Sequence, residues 1–485
     1  MKIPRQILVI LSVLVCFIFI IILFGSFQEE QIQGDLELYQ SNLLLQASEY
    51  KFNDSKSDQI SYLRQSLFGK DLYKSTAKQY QDAIDNNLKT RNKTEKTDLK
   101  DNLQSTDKLY LSLGILESQQ GKTQQANYNW NKINDNKKYS KLVRDLSDLK
   151  NTDKFIELEK EINTNLKGWF RYSALRSLYL KQNRTQDIKL LEIQEQQESQ
   201  NALVKLIFVS IMPILGIIFG VVILLVLIVQ WIKNGTESLL SPVNYSTWKI
   251  SWNWETVLQV FVVGFFLLSQ AVVYLVGPLL LKVFSSSLAP SYDLLLQSIK
   301  VLITYFLMAT SGLIILYLSL KPFFPLDNEL FKFDLKGNWF WQGIGGYLVA
   351  LPLVVLISLL NQQIWHGQGG SNPLLFLAIE AQNGWVIFIF FITAALAAPF
   401  YEEILFRGFL LPSLTAYISS RQAIVLSAVI FAFAHLNLSE VLPLSVLGII
   451  LGFVYQRSRN LLSSMLLHSL WNSGTLLSLF LLGNS

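Results

Sequence analysis

The sequence predicts an all-α fold, namely a polytopic helical membrane protein of about nine spans with a helical extramembranous domain. Of its 485 residues, 51% are hydrophobic and only 16% are charged, which is an apolar excess for a soluble globular chain. Apolar runs long enough to cross a hydrocarbon core of ~30 Å as helices recur beyond residue 205. A long polar region without proline separates them from an earlier apolar run.

The earlier run, residues 7–27, predicts a membrane anchor that we assign to residues 1–27. Its apolar core is longer than that of a signal peptide and no Ala-x-Ala pattern follows, so we expect it to stay uncleaved. Lys2 and Arg5 precede the run and acidic residues follow it. This charge bias predicts a cytoplasmic N-terminus.

Residues 28–200 form the polar region, which is rich in Lys, Gln, Asn, Asp and Leu and predicts helices throughout. The stretch from Tyr110 to Trp130 is similar to a tetratricopeptide helix pair, with small residues such as Gly114 where two helices would cross. A weaker echo begins at Leu180, and an irregular helical domain is the alternative. The region contains no histidine and no catalytic constellation. We expect a binding or spacing module, with a protein partner as its candidate ligand.

Beyond residue 205 we predict spans at residues 206–232, 257–281, 294–320, 339–360, 385–411, 423–436, 441–455 and 461–482. The first four belong to a group of accessory transmembrane helices, residues 206–361, and the last four form a core, residues 385–482. Lysine and arginine fall on alternate loops. This pattern places the helical domain on the side of the membrane opposite the cytoplasm.

The net charge and the cysteine content further narrow the class of protein. The net charge of +5 is modest for this length and indicates membrane orientation, not nucleic-acid binding. The single cysteine, Cys16, lies in the first apolar run, so there is no disulfide framework and no thiolate metal site. Tryptophans at predicted helix ends, such as Trp248 and Trp252, are expected in an aromatic belt. We expect an integral protein of a cell inner or internal membrane.

Two adjacent carboxylates and an arginine interrupt the apolar run that begins at Trp385: Glu402, Glu403 and Arg407. A charged side chain at the centre of a bilayer costs about 2.5–3.5 kcal/mol on insertion scales. Glu403 and Arg407 are four residues apart on one helix face and are expected to pair. Glu402 is rotated by about 100° and is left without that partner. In the reverse assignment Glu403 is the base and Glu402 is the supporting residue. This alternative loses the pairing of Glu403 with Arg407.

Three further polar residues lie in the same group of helices. The chain has only three histidines; His366 lies in a glycine-rich loop, whereas His435 and His468 lie in the C-terminal apolar runs. Asn472 follows His468 by four residues, so both side chains share a helix face. At about 1.5 Å rise per residue, these groups and Glu402 lie at depths that allow one common cavity. The alternative is that His468 and Asn472 only hold helices together.

Such a cavity would contain the functional groups needed to hydrolyse a peptide bond without a covalent intermediate. A carboxylate with two imidazoles can remove a proton from water, with or without a metal ion. Hydrogen-bond donors such as His468 and Asn472 can stabilise the oxyanion of a tetrahedral intermediate. Glu402 is therefore the candidate general base, with Glu403 and Arg407 as support.

The three motifs together resemble one family. Glu402-Glu403-x-x-x-Arg407, Phe431-x-x-x-His435 and His468-x-x-x-Asn472, in this order on successive apolar helices, are similar to the CAAX protease and bacteriocin-processing (Abi) family of intramembrane metalloproteases. That family includes the CAAX prenyl endopeptidase. The resemblance covers residues 385–482.

The resemblance implies a role for each motif residue. Glu402 would be the base, His435 would hold the water or a metal ion, and His468 and Asn472 would form the oxyanion site. It also implies a divalent metal, zinc, as a candidate cofactor with Glu402, His435 and His468 as ligands. The substrate would be a protein or peptide at the membrane. The resemblance does not imply that this substrate is prenylated.

Two other functions compete with proteolysis. The first is a non-catalytic membrane scaffold whose helical domain recruits partners. The second is a proton-coupled transporter, which is disfavoured because the membrane region shows no internal repeat. Other intramembrane protease types are excluded, since the sequence contains no His-Glu-x-x-His and no Gly-x-Ser-Gly motif.

Overall fold

The computed structural model describes residues 3–27, 29, 31–51, 65, 67–91, 99–133, 139–147, 155–241, 248–285, 293–381 and 383–483. Lys2 and Gln28, which bear on the predicted orientation and on the start of the helical domain, lie outside the described residues. The described part is entirely helical, as the sequence predicts. The chain divides into two compact units, one of residues 33–210 and one of residues 1–32 with 211–484.

The helical unit, residues 33–210, is built from short and medium amphipathic helices. In chain order these are α2 (Gln33–Ser48), α3 (Leu72–Arg91), α4 (Leu99–Gln119), α5 (Thr123–Trp130), α6 (Ser140–Ser147), α7 (Phe155–Asn165), α8 (Gly168–Lys181) and α9 (Thr185–Leu206). Their buried faces carry leucines and aromatic side chains such as Leu43, Leu111 and Trp169. The core of this unit is therefore a conventional helix-on-helix interior.

The crossing of α4 and α5 depends on Gly114. A Cβ atom at this position would lie 2.0 Å from Trp130 Nε1, so only glycine allows the approach. Trp130 Nε1 donates a hydrogen bond to the carbonyl of Leu111 at 3.3 Å. The helix pair with a small residue at its crossing is present, while its likeness to a tetratricopeptide pair stays a prediction.

The membrane unit contains the long apolar helices. Besides α1 (Arg5–Ser26), they are α10 (Met212–Asn234), α11 (Trp254–Leu279), α12 (Asp293–Leu320), α13 (Trp339–Trp365), α14 (Pro373–Glu380), α15 (Gly384–Thr415), α16 (Ser420–Phe433), α17 (Leu438–Ser458) and α18 (Leu461–Gly483). Eight helices of the described chain are long and apolar enough to span a bilayer. α16 has 14 residues, or about 21 Å, so the ninth predicted span is too short to cross alone.

Glycines allow close approach of the helices around the site. A Cβ at Gly448 on α17 would lie 2.8 Å from the Ala428 Cβ on α16. A Cβ at Gly343 on α13 would lie 2.9 Å from the carbonyl oxygen of Ser463 on α18. Small residues at crossings are the usual means of tight packing between membrane helices. They bring the backbones of α13, α16, α17 and α18 near enough for short polar side chains to meet.

Trp248 and Trp252 do not form part of an aromatic belt, so the expectation was wrong for these two residues. Both are buried. Trp248 stacks on Tyr455 with ring centroids 5.6 Å apart, and the guanidinium of Arg459 lies 3.8 Å from its ring. Trp252 Nε1 donates to Ser413 Oγ at 2.8 Å. Their partners on other helices draw these rings inward, and the sequence alone does not reveal those partners.

Helix α1 is bound into the membrane unit and does not stand apart from it. The backbone N–H of Leu438 donates to Ser26 Oγ at 3.2 Å. The N–H groups of Gly369 and Gly370 donate to the carbonyl oxygen of Glu29 at 3.0 and 3.1 Å. Both glycines have positive φ, 104° and 73°, which favours glycine in this turn. The end of α1 is thereby fixed to the glycine-rich loop and to the start of α17.

Candidate functional site

Helix α15 carries the two glutamates between two π-helical stretches. These stretches are Phe391–Ala397 and Ile404–Leu410, and the α-helical segment Ala398–Glu403 lies between them. The helix begins at an N-cap in which Asn383 Oδ1 accepts from the N–H of Trp385 at 2.9 Å. π-helical turns are rare and frequently occur at functional sites. They change the direction in which the following side chains leave the helix.

Glu403 and Arg407 form the ion pair that the sequence predicts. Arg407 Nη1 lies 2.8 Å from Glu403 Oε1, and the two side chains are 1% and 0% exposed. Arg407 Nη2 also donates to the carbonyl of Gly448 at 3.2 Å, and its guanidinium lies 4.6 Å from the centre of the Phe431 ring. The pair therefore connects α15 with α16 and α17. Such burial is tolerated because each charge has a partner.

His468 lies between the two glutamates. Its Nδ1 is 2.9 Å from Glu403 Oε1, and its Nε2 is 3.8 Å from Glu402 Oε2. A carboxylate at this distance accepts a hydrogen bond from Nδ1–H, so Nδ1 carries the hydrogen and Nε2 is directed to Glu402. Glu403 thus has a second function that the sequence did not indicate, because it also orients the imidazole.

Glu402 differs from its neighbour in its partners. Its Oε2 is buried and makes no hydrogen bond with any residue in the described ranges, while its side chain is 17% exposed. Glu403 Oε1, in contrast, receives both Arg407 and His468. The structure therefore leaves Glu402 as the carboxylate that lies beside a histidine without an arginine to neutralise it.

His435 lies in the turn that follows α16, and not within a helix as expected. α16 ends at Phe433, and Leu436 adopts a φ of 62°. His435 Nδ1 donates to the carbonyl of Phe431 at 2.9 Å. The Phe431 ring contacts both imidazoles, with centroid distances of 4.9 Å to His435 and 5.7 Å to His468. Phe431 thus places the two histidines in one neighbourhood.

Asn472 fixes α18 to α15. Its Nδ2 donates to the backbone carbonyl of Ala394 at 2.7 Å, within the first π-helical stretch. This contact is of the interhelical kind that we set against an oxyanion role. The amide has two N–H bonds, so one contact does not consume its capacity. His366, by comparison, ends α13 with a φ of 49° and belongs to the glycine-rich loop.

The three predicted metal ligands do not converge. In the described part of the chain, no three His, Cys, Asp or Glu side chains lie together in a way that could hold a metal ion. Catalytic zinc sites use three protein ligands, whereas only Glu402 and His468 approach each other here, at 3.8 Å. As arranged, these residues do not fit a metal centre, and the cofactor stays a prediction.

Two polar residues near the site were missed. Tyr305 on α12 packs edge-on against Tyr401, with centroids 6.4 Å apart, and interacts electrostatically with Glu402. Glu440, in the first turn of α17, accepts from the N–H of Asn372 at 2.8 Å and interacts with His435. Glu440 could have been found as an ionisable group five residues after a motif histidine. Tyr305 carries no such signal, because a tyrosine in an apolar run is common at membrane interfaces.

The site lies in a part of the chain that is similar to a known protein family. Residues 383–474 match the family model described as "Type II CAAX prenyl endopeptidase Rce1-like". The chain carries an Rce1-like domain at its C-terminus. The resemblance found in the three motifs is thereby confirmed, since every motif residue from Glu402 to Asn472 lies within the Rce1-like domain. The match supports a membrane protease.

One curated protein is also similar to this chain. The chain is 28% identical over 165 residues to UPF0177 protein YxdF of Lactococcus lactis subsp. lactis (strain IL1403), which covers 33% of this chain and 87% of the relative. No solved structure matches. The Rce1-like domain does not include α1 or the helical unit.

Proposed function

We propose that the protein is an intramembrane endopeptidase in which Glu402 activates water for peptide-bond hydrolysis. The observation that supports this most directly is the contrast between the two glutamates. Glu403 Oε1 is engaged by both Arg407 and His468 at hydrogen-bond distance, whereas Glu402 has no arginine partner and has only the His468 imidazole nearby, at 3.8 Å. A carboxylate without an arginine partner, inside a unit of apolar helices, is the arrangement that a general base requires.

We infer the steps of the reaction from the roles proposed for these groups. Glu402 removes a proton from water as the water oxygen attacks the carbonyl carbon of the substrate. The resulting oxyanion receives hydrogen bonds from His468 Nε2–H, in its imidazolium form, and from the second N–H of Asn472. His435 holds the water. When the intermediate collapses, the C–N bond breaks and the protonated Glu402 returns its proton to the leaving amine.

The supporting residues act through His468. Glu403 accepts from Nδ1 and fixes the ring so that Nε2 is directed to the reaction site. Arg407 balances the charge of Glu403 at 2.8 Å. Glu403 and Arg407 are therefore positioning residues that do not touch the substrate.

The proposed substrate is a protein or peptide at the membrane. The matched family is named for a prenyl endopeptidase, so a C-terminal peptide with and without a farnesyl group is the first pair of probes to compare. We also propose a cytoplasmic N-terminus and a partner-binding role for the helical unit. Dialysis against EDTA followed by re-addition of zinc tests the predicted metal requirement.

The decisive experiment compares membrane-protein C-termini and released peptides from cells that contain the wild type or Glu402→Gln. We expect cleavage products to fall by about 10²–10⁴-fold in the variant, as for loss of a general base. Glu380→Gln is the matched control, because Glu380 is an exposed glutamate of the same unit. Unchanged products in Glu402→Gln would exclude the protease.

The same comparison tests the scaffold alternative. A scaffold predicts that deletion of residues 33–210 abolishes the cellular phenotype while Glu402→Gln has no effect. A protease predicts that Glu402→Gln alone abolishes the phenotype, with the protein still inserted in the membrane.

A further inference from the structure

Tyr305 lies beside the reaction site but comes from a helix outside the Rce1-like domain. It is on α12 (Asp293–Leu320), whereas the domain covers residues 383–474. Its ring stands nearly perpendicular to that of Tyr401, at 88° and a centroid distance of 6.4 Å. This contact holds the phenol next to the segment that carries Glu402.

The hydroxyl of Tyr305 is buried and makes no hydrogen bond of normal geometry with any residue that the structure describes. The same is true of Glu402 Oε2. The two groups are near enough to interact electrostatically. A buried hydroxyl without a partner is unfavourable by about 1–3 kcal/mol, so its retention next to an equally unpartnered carboxylate oxygen needs a reason.

The hydroxyl of Tyr401, the neighbouring tyrosine, lies in a different position from that of Tyr305. A Cβ built on Gly312 would lie 2.1 Å from the Tyr401 hydroxyl, so the Tyr401 phenol is directed into the backbone of α12. Tyr305 is the phenol whose oxygen interacts with the Glu402 carboxylate through both charge and hydrogen-bonding capacity.

The other two candidate donors at the site, His468 and Asn472, each have one N–H that is already bound. His468 Nδ1 is bound to Glu403 Oε1 at 2.9 Å, and Asn472 Nδ2 donates to the carbonyl of Ala394 at 2.7 Å. A donor aimed at the reacting carbonyl is worth most when it is in place before the reaction. The Tyr305 hydroxyl makes no hydrogen bond of normal geometry with a described residue, so it keeps a donor for the reacting carbonyl.

We propose that Tyr305 is a further catalytic residue, whose hydroxyl donates a hydrogen bond to the oxyanion formed when water activated by Glu402 attacks the substrate. This inference rests on the proposed function. It assigns part of the reaction site to an accessory helix, so that the Rce1-like segment alone does not contain the whole site. No bond is made or broken by Tyr305, and it only stabilises charge on the substrate oxygen.

The test uses the full-length protein in detergent and a fluorogenic peptide whose cleavage depends on Glu402 in the C-terminus comparison above. Tyr305→Phe removes one oxygen atom and keeps the ring contact with Tyr401. We expect kcat to fall by about 10²-fold while KM changes by less than about two-fold, because the donor acts in the transition state. Tyr317→Phe is the control, since Tyr317 is on the same helix and 53% exposed.

The thermal unfolding midpoint and the elution volume of each variant are measured with the kinetics, and rates are expressed per mole of folded protein. A residue that only supports the fold would lower the unfolding midpoint or raise KM, and would leave kcat of the folded fraction unchanged. That result would overturn the assignment of Tyr305 while Glu402→Gln remains inactive and the protease stands. If no peptide depends on Glu402, the proposed function fails and this inference fails with it.

Discussion

Each unit of this protein buries a glutamate, and the two glutamates are stabilised in different ways. Glu403 in the membrane unit is 0% exposed and has Arg407 and His468 within 2.9 Å. Glu195 in the helical unit is 3% exposed and accepts one hydrogen bond from Gln46 Nε2 at 2.6 Å. Among the described residues, no cation lies within 4.0 Å of Glu195. Burial alone therefore does not mark a site, whereas a cation and an imidazole that converge from other positions do.

The chemical consequence for Glu195 is a change in its proton affinity. Burial is the largest cause, followed by repulsion from Glu198 and Glu49, and together they raise the pKa of Glu195 to about 8. Near neutral pH this carboxyl is therefore kept protonated by its surroundings. In the helical unit a buried glutamate is a stability feature that depends on pH, whereas in the membrane unit it orients a histidine.

Removing the cation of the membrane pair is expected to have the largest effect. In Arg407→Met, Glu403 stays buried without its ion-pair partner, which should lower the free energy of unfolding by about 3–5 kcal/mol. Thermal unfolding of the purified protein in detergent measures the change. The double variant Glu403→Gln, Arg407→Met removes both charges and should recover most of the loss. A single variant as stable as the wild type would mean that the pair is not responsible for holding the three helices.

The close helix crossing that supports this pair provides a second test. Gly448→Ala adds a methyl group 2.8 Å from Ala428 Cβ, and such overpacking should destabilise the membrane unit by about 1–3 kcal/mol. It should also lengthen the contact between Arg407 and the Gly448 carbonyl. Gly345→Ala is the matched control, because a Cβ there meets nothing within 4 Å. Equal melting temperatures of the two variants would contradict the packing argument.

The last effect concerns the protonation of Glu195 and is seen only as a dependence of stability on pH. Since its folded-state pKa is raised, the folded state retains a proton that the unfolded chain releases above its own pKa of about 4.5. Stability is therefore complete below about pH 4.5 and declines by about 1.4 kcal/mol per pH unit up to about pH 8. Glu195→Gln should abolish this decline and be more stable than the wild type near pH 8.

Hydrogen exchange of peptides from α2 and α9, corrected for the intrinsic exchange rate, measures this local stability from about pH 5 to about pH 8. Glu37→Gln is the control, because Glu37 is exposed on α2 and does not contribute to the raised pKa of Glu195. A wild-type profile that does not fall with pH would show that Glu195 is ionised in the folded unit.

Several features were predictable because they depend on residues close in sequence. The Glu403–Arg407 pair follows from a spacing of four residues, and the eight long spans follow from hydropathy. The small residue at the α4–α5 crossing was also anticipated at Gly114. Residue roles at the site, the metal ion, the domain boundaries and the tetratricopeptide likeness stay predictions.

Other features required the packed structure. The contact of His468 with the two glutamates joins residues 65 and 66 positions apart, and no local pattern encodes it. His435 was predicted to lie within a helix. It lies in a turn instead, because α16 ends at Phe433. The positions of Trp248 and Trp252 were misjudged because their partners, Tyr455 and Ser413, come from helices that hydropathy cannot place relative to one another.

The sequence by itself determined that this is a helical membrane protein with a separate polar region, and it identified the polar residues that an apolar environment must accommodate. Helical period and hydropathy are local properties, so they can be read along the chain. Tertiary structure alone decided which oxygen of which glutamate is engaged and brought Tyr305 to Glu402. Those outcomes depend on how closely α12, α15 and α18 approach, which is set by packing between residues far apart in the chain.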